Sequence, residues 1–170
     1  MTSFTVWKFD DPDKATDAEA SLQRAARDGV VQIMDHAVVR WPIGAKHPTT
    51  SHGHDGTLHG AGWGAFWGLL AGSLFLVPVV GGVAGAAIGA ISKATQDSGI
   101  TREQLETIRT QITEGTSALF VVSENADLDK LGERLKIGGA LIATNLTDGE
   151  RAMLLETFGG EDRTHVSPTQ

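Results

Sequence analysis

The chain has no cysteine, which excludes disulfide bonds, thiolate metal sites and thiol nucleophiles. Basic residues are also scarce: 14 lysines and arginines stand against 21 aspartates and glutamates, which gives a net charge of -7. Binding to a phosphate backbone needs a basic field, so this balance argues against nucleic acid as a partner.

A secretory signal is missing as well, because the first residues contain Lys8, Asp10 and Asp11 and no long apolar run. We therefore expect a cytoplasmic protein or one associated with the cytoplasmic membrane. The length of 170 residues allows one ordinary domain or a small domain with an appendage. The uneven distribution of charge along the chain favours the second arrangement.

Charge is absent from one long segment, which contains no charged side chain between His59 and Lys93. Within it glycine recurs at every fourth position, before and after Pro78. A spacing of four places residues on one helical face, so each half is predicted to be a helix that another backbone can approach closely. Glycine costs about 1 kcal/mol relative to alanine inside a helix, so the repeat indicates close helix packing. The predicted glycine stripe consists of Gly60, Gly64, Gly68, Gly72, Gly81, Gly85 and Gly89.

Bulky apolar side chains lie at helical spacing opposite the glycine stripe. An exposed apolar patch of this extent is rare on soluble monomers and marks a protein or membrane interface. The sequence therefore predicts a homo-oligomer, with the chain itself as the main partner. Besides the glycine stripe, the predicted interface comprises Trp63, Phe66, Trp67, Leu70, Leu74, Pro78 and Ile88.

A membrane is the alternative partner of this segment. Each half would be a helix of roughly 17 residues and about 25 Å, slightly short of the roughly 30 Å hydrocarbon layer. Trp63 and Trp67 fit an aromatic belt, and Lys93 flanks the run. Asp55 and Asp97 lie at the same end, so the sequence leaves lipid and a second copy open.

The first part of the chain is predicted to form a strand, a helix and a second strand. Ser3–Phe9 is rich in aromatic and β-branched residues, and Asp11-Pro12 resembles a helix start. The helix is expected to stop at Gly29. On the second strand the following residues are predicted to share one face: Val31, Ile33, Ala37, Val39 and Trp41.

The last part is predicted to form a connecting helix followed by strand, helix, strand and helix. Thr101–Gln104 and Thr147–Glu150 match the capping box that opens a helix. The continuous apolar run Ala118–Val122 is typical of a central strand covered on both faces. Leu128–Leu135 carries helical spacing, and Ala140–Ala143 is expected to be the last strand.

When the predicted linker, the glycine-rich segment and the connecting helix are set aside, the remaining elements follow in the order strand, helix, strand, strand, helix, strand. This order is typical of an α+β, ferredoxin-like split βαβ domain, with two helices on one face of an antiparallel sheet. The Gly/Ala-rich helical hairpin is then an insertion between strands 2 and 3. The predicted parts are a discontinuous α+β domain (1–42 and 115–158), a His-rich linker (43–59), the hairpin (60–95), a connecting helix (101–113) and a flexible tail (159–170).

Several short motifs occur in an order that resembles a bacterial family known only as a domain of unknown function. Its members are often described as predicted membrane proteins. The likeness covers nearly the whole chain and implies no catalytic residue, substrate or cofactor. The motifs are Trp41-Pro42-Ile43-Gly44, the Gly60–Gly89 block with Leu76-Val77-Pro78, Asp97-Ser98-Gly99-Ile100, Gly115-Thr116-Ser117-Ala118-Leu119-Phe120 and Leu146-Thr147.

The predicted linker contains His47, His52, His54 and His59. Imidazole is the commonest metal ligand, and His52 and His54 would point to one side of an extended chain. The spacing matches no standard zinc pattern, so a solvated linker is the main interpretation. His52 and His54 stay as weak metal candidates, and a pH-sensitive role is a second interpretation.

No arrangement of residues in the sequence indicates catalysis. Gly60–Gly64 lacks the Lys-Ser/Thr of a phosphate-binding loop, and neither Ser73 nor Ser117 has a candidate base at readable spacing. We therefore expect a non-enzymatic structural or interaction protein without a cofactor. The alternative is a soluble ligand-binding or sensing module that uses the sheet as its site and the hairpin as an oligomerisation arm.

Overall fold

The computed structural model describes residues 2–52, 100–124 and 138–164. These residues form a mixed α+β structure with a six-stranded sheet and three helices. The predicted hairpin (60–95), the second half of the predicted linker and the predicted helix around Leu128–Leu135 lie outside them. In chain order the elements are β1 (Thr2–Phe9), α1 (Lys14–Arg27), β2 (Gln32–Trp41), β3 (Thr49–His52), α2 (Arg102–Gln111), β4 (Thr116–Glu124), β5 (Ala140–Thr144), α3 (Asp148–Phe158) and β6 (Glu161–Asp162).

The sheet has the strand order β3-β2-β4-β1-β5-β6. Neighbouring strands are antiparallel except β5 and β6, which are parallel. The central strand β4 pairs with β1 from Thr2↔Glu124 to Phe9↔Ser117, and with β2 on its other side. Every residue from Thr116 to Val122 is buried. The prediction that this apolar run is a central strand covered on both faces is therefore confirmed.

Helices cover both faces of the sheet. On one face α1 and α3 pack on a cluster that includes Trp7, Leu119 and Leu141. On the other face α2 packs on a cluster that includes Val6 and Phe120. The prediction placed the two helices of the split βαβ unit on one face and gave no position to the connecting helix, α2, which covers the opposite face.

A β-bulge in β2 divides a set of side chains that the sequence placed on one face. The pairing of β2 with β4 shifts between Ile33 and Asp35, where Met34 is the extra residue. One extra residue reverses the alternation of side chains along a strand. Val31 and Ile33 therefore pack in the α1 cluster, while Ala37 and Val39, with Trp41 packed against them, belong to the α2 cluster.

Local hydrogen bonds determine where the three helices begin. Both predicted capping boxes are present, at Thr101 for α2 and at Thr147 for α3. Hydrogen bonds from Thr147 lower the pKa of the Glu150 carboxyl. The first helix begins later than the expected Asp11-Pro12 start, because the Asp11 carboxylate accepts from the Asp13 N–H at 2.8 Å and forms a turn first.

Two short strands lie in segments that the sequence assigned to the linker and the tail. The four residues of β3 pair with Ala37–Arg40 of β2. The two residues of β6 pair with β5, and the Arg163 N–H donates to the Leu141 carbonyl at 2.9 Å. Both strands are too short and too polar to show an apolar alternation, so only their pairing with longer strands reveals them.

Ser117 connects β4 to the start of α1. Its side chain is fully buried, and its Oγ donates to the Asp11 carbonyl at 2.6 Å. The same Oγ accepts from the Ala15 N–H at 3.1 Å. The hydroxyl thus satisfies one carbonyl and one N–H group that would otherwise lack a partner at a helix start.

We predict that Ser117→Ala lowers the free energy of unfolding by about 1–3 kcal/mol, because two buried backbone groups lose their partner. The midpoint of urea unfolding measures this loss. Ser123→Ala, in the half-buried part of the same strand, is the matched control and should change the free energy by less than about 0.5 kcal/mol. Equal effects of the two changes would contradict the role given to Ser117.

Candidate functional site

The residues of the predicted oligomer or membrane interface, Gly60 to Gly89, lie outside the described residues, as does His54. His52 ends β3, where its register partner is Ala37. The structure therefore bears on the predicted interface through the two described segments that flank residues 53–99, which contain the predicted insertion. We call these two segments, residues 49–52 and 100–112, the insertion base.

The chain enters the insertion from the edge of the sheet. Strand β3 is the edge strand beside β2, and its pairing runs from Arg40↔Thr49 to Ala37↔His52. Backbone hydrogen bonds of this ladder hold the last described residues before position 53 at the edge of the sheet.

The chain returns from the insertion through a buried anchor. Ile100 is 3% exposed and stands directly before α2. Leu105, Ile108 and Ile112 of the same segment are at most 1% exposed. Burying aliphatic side chains of this size stabilises the contact by about 1.5–3 kcal/mol each, as an upper estimate. On the sheet they pack in a cluster with Phe4, Val6, Ala37, Val39, Phe120 and Ile142.

Two glutamine side chains tie α2 to the far strands of the sheet. The Gln104 side chain accepts from the Thr101 N–H at 3.0 Å as part of the capping box, and its Nε2 donates to the Thr144 carbonyl of β5. Near the other end of α2, Gln111 Nε2 donates to the Arg163 carbonyl at 3.1 Å. The helix is therefore held by polar contacts at both ends and by apolar contacts along its length.

A histidine–carboxylate pair joins α1 to β2 on the sheet face opposite α2. His36 is 8% exposed, and its Nε2 lies 2.8 Å from the Glu19 carboxylate. Gln23 Nε2 lies 3.5 Å from the same carboxylate oxygen. The sequence analysis missed this group. Its only signal is the i,i+4 spacing of Glu19 and Gln23 on a helix, which is typical of many surface helices.

Neither metal binding nor membrane crossing is indicated within the described ranges. Residues 2–52, 100–124 and 138–164 hold no group of three or more histidine and acidic side chains that could bind a metal ion. In this part of the chain no helix has the length and apolar character needed to cross a membrane.

The alternative function needs a sheet face that a ligand can reach. The face opposite α1 and α3 is covered by α2. The side chains of Phe4, Val6 and Phe120 on that face are at most 2% exposed. They contact the insertion base instead of solvent. A ligand could reach this face only if α2 moved away.

Comparison with known proteins identifies a family. A family model described as a protein of unknown function, DUF1269, matches residues 61–159, which is more than half of the chain. The matched range covers the predicted hairpin and the described elements from α2 to α3. No curated protein and no solved structure matches the chain. The expected resemblance to a domain of unknown function is thereby confirmed.

We predict that Ile108→Ala weakens the anchoring of α2 and lowers the free energy of unfolding by about 2–5 kcal/mol, because it leaves a cavity at a fully buried site. Amide hydrogen exchange of residues 102–111 should accelerate in this variant. Thr110→Ala, on the exposed side of the same helix, is the control and should leave both values nearly unchanged. Unaltered exchange in the Ile108 variant would contradict the anchoring role.

Proposed function

The chain belongs to the DUF1269 family, and we propose that it is a non-enzymatic interaction protein that assembles with further copies of itself. The contact is a glycine-zipper hairpin at residues 60–95, carried by a ferredoxin-like domain. The proposed location is the cytoplasm or the cytoplasmic side of the membrane.

The observation that carries the proposal is the covering of both sheet faces by the domain's own helices. The large apolar residues exposed in the described ranges are only Met34, Ile43 and Met153. Few large apolar side chains of the described domain are therefore left for a partner to cover. We infer that the bulky side chains of the uncharged segment pack on another surface, and the glycine spacing favours a copy of the same helices.

The insertion base supports a display role for the domain. A hairpin that begins at an edge strand and ends in α2 is attached at both ends to secondary structure. Because α2 is held by buried side chains and by Gln104 and Gln111, association of hairpins would position the domains relative to one another.

The strand order supports the ferredoxin-like assignment. Strands β2-β4-β1-β5 lie side by side with antiparallel neighbours, which is the arrangement of a split βαβ sheet. In this scheme β3 and β6 extend the two edges of the sheet, and the second helix is the one predicted around Leu128–Leu135, outside the described residues.

A second copy is favoured over lipid as the partner of the hairpin. Glycine and alanine gain little from transfer into lipid, whereas they permit close backbone packing in either environment. The net charge of -7 also disfavours an anionic membrane surface. The ligand-binding alternative receives less support, because α2 occupies the sheet face that it requires.

We predict that Gly68→Leu combined with Gly85→Leu dissociates the assembly, because each leucine separates backbones that pack at the glycine stripe. Light scattering after size-exclusion chromatography in detergent-free buffer measures the mass. The matched control is Gly62→Leu with Gly82→Leu, which introduces the same side chains outside the stripe.

Retention of the native mass by the stripe variant, or equal dissociation of both variants, would count against the glycine-zipper contact. Wild-type protein that leaves the membrane fraction only with detergent would make lipid the partner of the hairpin instead of a second copy.

A further inference from the structure

A small cleft opens where β1 ends beside β5 and β6. Its volume is about 210 Å³, and it shares no lining residue with the insertion base. Four of its side chains are charged, two of each sign. The cleft is lined by Lys8, Asp10, Gly139, Ala140, Gly160, Glu161 and Arg163.

Two glycines shape the cleft. A Cβ atom at Gly139 would lie 2.7 Å from the Lys8 carbonyl oxygen, and one at Gly160 would lie 2.7 Å from the Gly139 carbonyl oxygen. Gly139 also has a φ of 98°, which side chains rarely adopt. No side chain can therefore replace either glycine without a shift, and the cleft stays lined by backbone.

Lys8 places a positive charge in the wall of the cleft. It lies on the same strand face as Phe4 and Val6, and its side chain is only 12% exposed. A charged group at the end of a largely covered side chain is stabilised by an anionic or polar partner. That partner is the Asp10 carboxylate at 2.9 Å, whose own side chain is 72% exposed.

Arg163 supplies a second cation at the same place. Its Nε and Nη2 donate to one oxygen of Glu161 at 2.9 and 2.6 Å, which leaves further N–H groups of the guanidinium. Lys8 lowers the pKa of the Asp10 carboxyl through its hydrogen bond and its charge, and the charge of Arg163 adds a smaller effect. The Asp10 carboxylate is thus paired with Lys8 in a cleft that Arg163 also lines.

We propose that this cleft binds a small oxyanion, a carboxylate or phosphate group, through Lys8 and Arg163, and that Asp10 is an internal competitor for the same position. Glu161 holds the Arg163 guanidinium beside the cleft. Exchange of Asp10 for a ligand costs little, because its carboxylate is mostly in solvent and exposed ion pairs contribute weakly to stability.

The test measures binding of inorganic phosphate to the full chain by equilibrium dialysis at constant ionic strength, with acetate as the competitor. Wild-type protein should bind, and Asp10→Asn should raise the affinity about threefold to fivefold by removing the competitor. Arg163→Gln should lose most of the binding. Arg27→Gln, an exposed cation on α1, is the control and should keep it.

Circular dichroism checks that each variant is folded, and Arg163→Gln replaces a half-exposed side chain, so the result does not depend on altering buried Lys8. Competition by acetate identifies a carboxylate subsite, and its failure identifies a phosphate subsite; both results support the cleft. Unchanged or weaker binding by Asp10→Asn, or equal losses in the Arg163 and Arg27 variants, would overturn the proposal. None of these outcomes depends on self-assembly through the hairpin.

Discussion

Burial of the central strand on both faces is the constraint on which the rest of the structure depends. Residues 116–122 of β4 are all buried, so an apolar layer must cover each side of the sheet. Helices α1 and α3 supply one layer, and α2 supplies the other. Because α2 follows directly on the insertion, the segment that closes the core is also the segment that attaches the insertion to the domain.

This double role links the fold to the proposed function. Among the described residues, helices of the domain itself pack on both faces of the sheet. In the proposed function the long uncharged segment associates with a further copy of the chain, because its glycine period favours close packing between helices. The cleft formed by Asp10, Lys8 and Arg163 touches the insertion base through the Arg163 carbonyl, which accepts from Gln111 of α2. Substitution of the Arg163 side chain therefore tests small-anion binding separately from self-assembly.

Local signals allowed much of the fold to be predicted from the sequence. The capping boxes at Thr101 and Thr147 and the apolar run of β4 depend on neighbouring residues, and the structure confirms all three. The bulge at Met34 and the short strands β3 and β6 depend on pairing with distant strands, so no local pattern indicated them. The cleft was missed for the same reason, since Lys8 and Arg163 lie near opposite ends of the chain. The predicted interface lies outside the described residues and stays a prediction.

The most direct measurement compares the mass of the full chain with that of a variant in which residues 53–99 are replaced by a flexible Gly/Ser linker of about 12 residues. Both are sized in detergent-free buffer, and circular dichroism follows their unfolding. The account predicts a folded monomer for the linker variant, since α2 still covers the sheet, and a mass of several subunits for the full chain. A linker variant that keeps the assembly, or that fails to fold, would contradict a self-sufficient domain that assembles through its insertion.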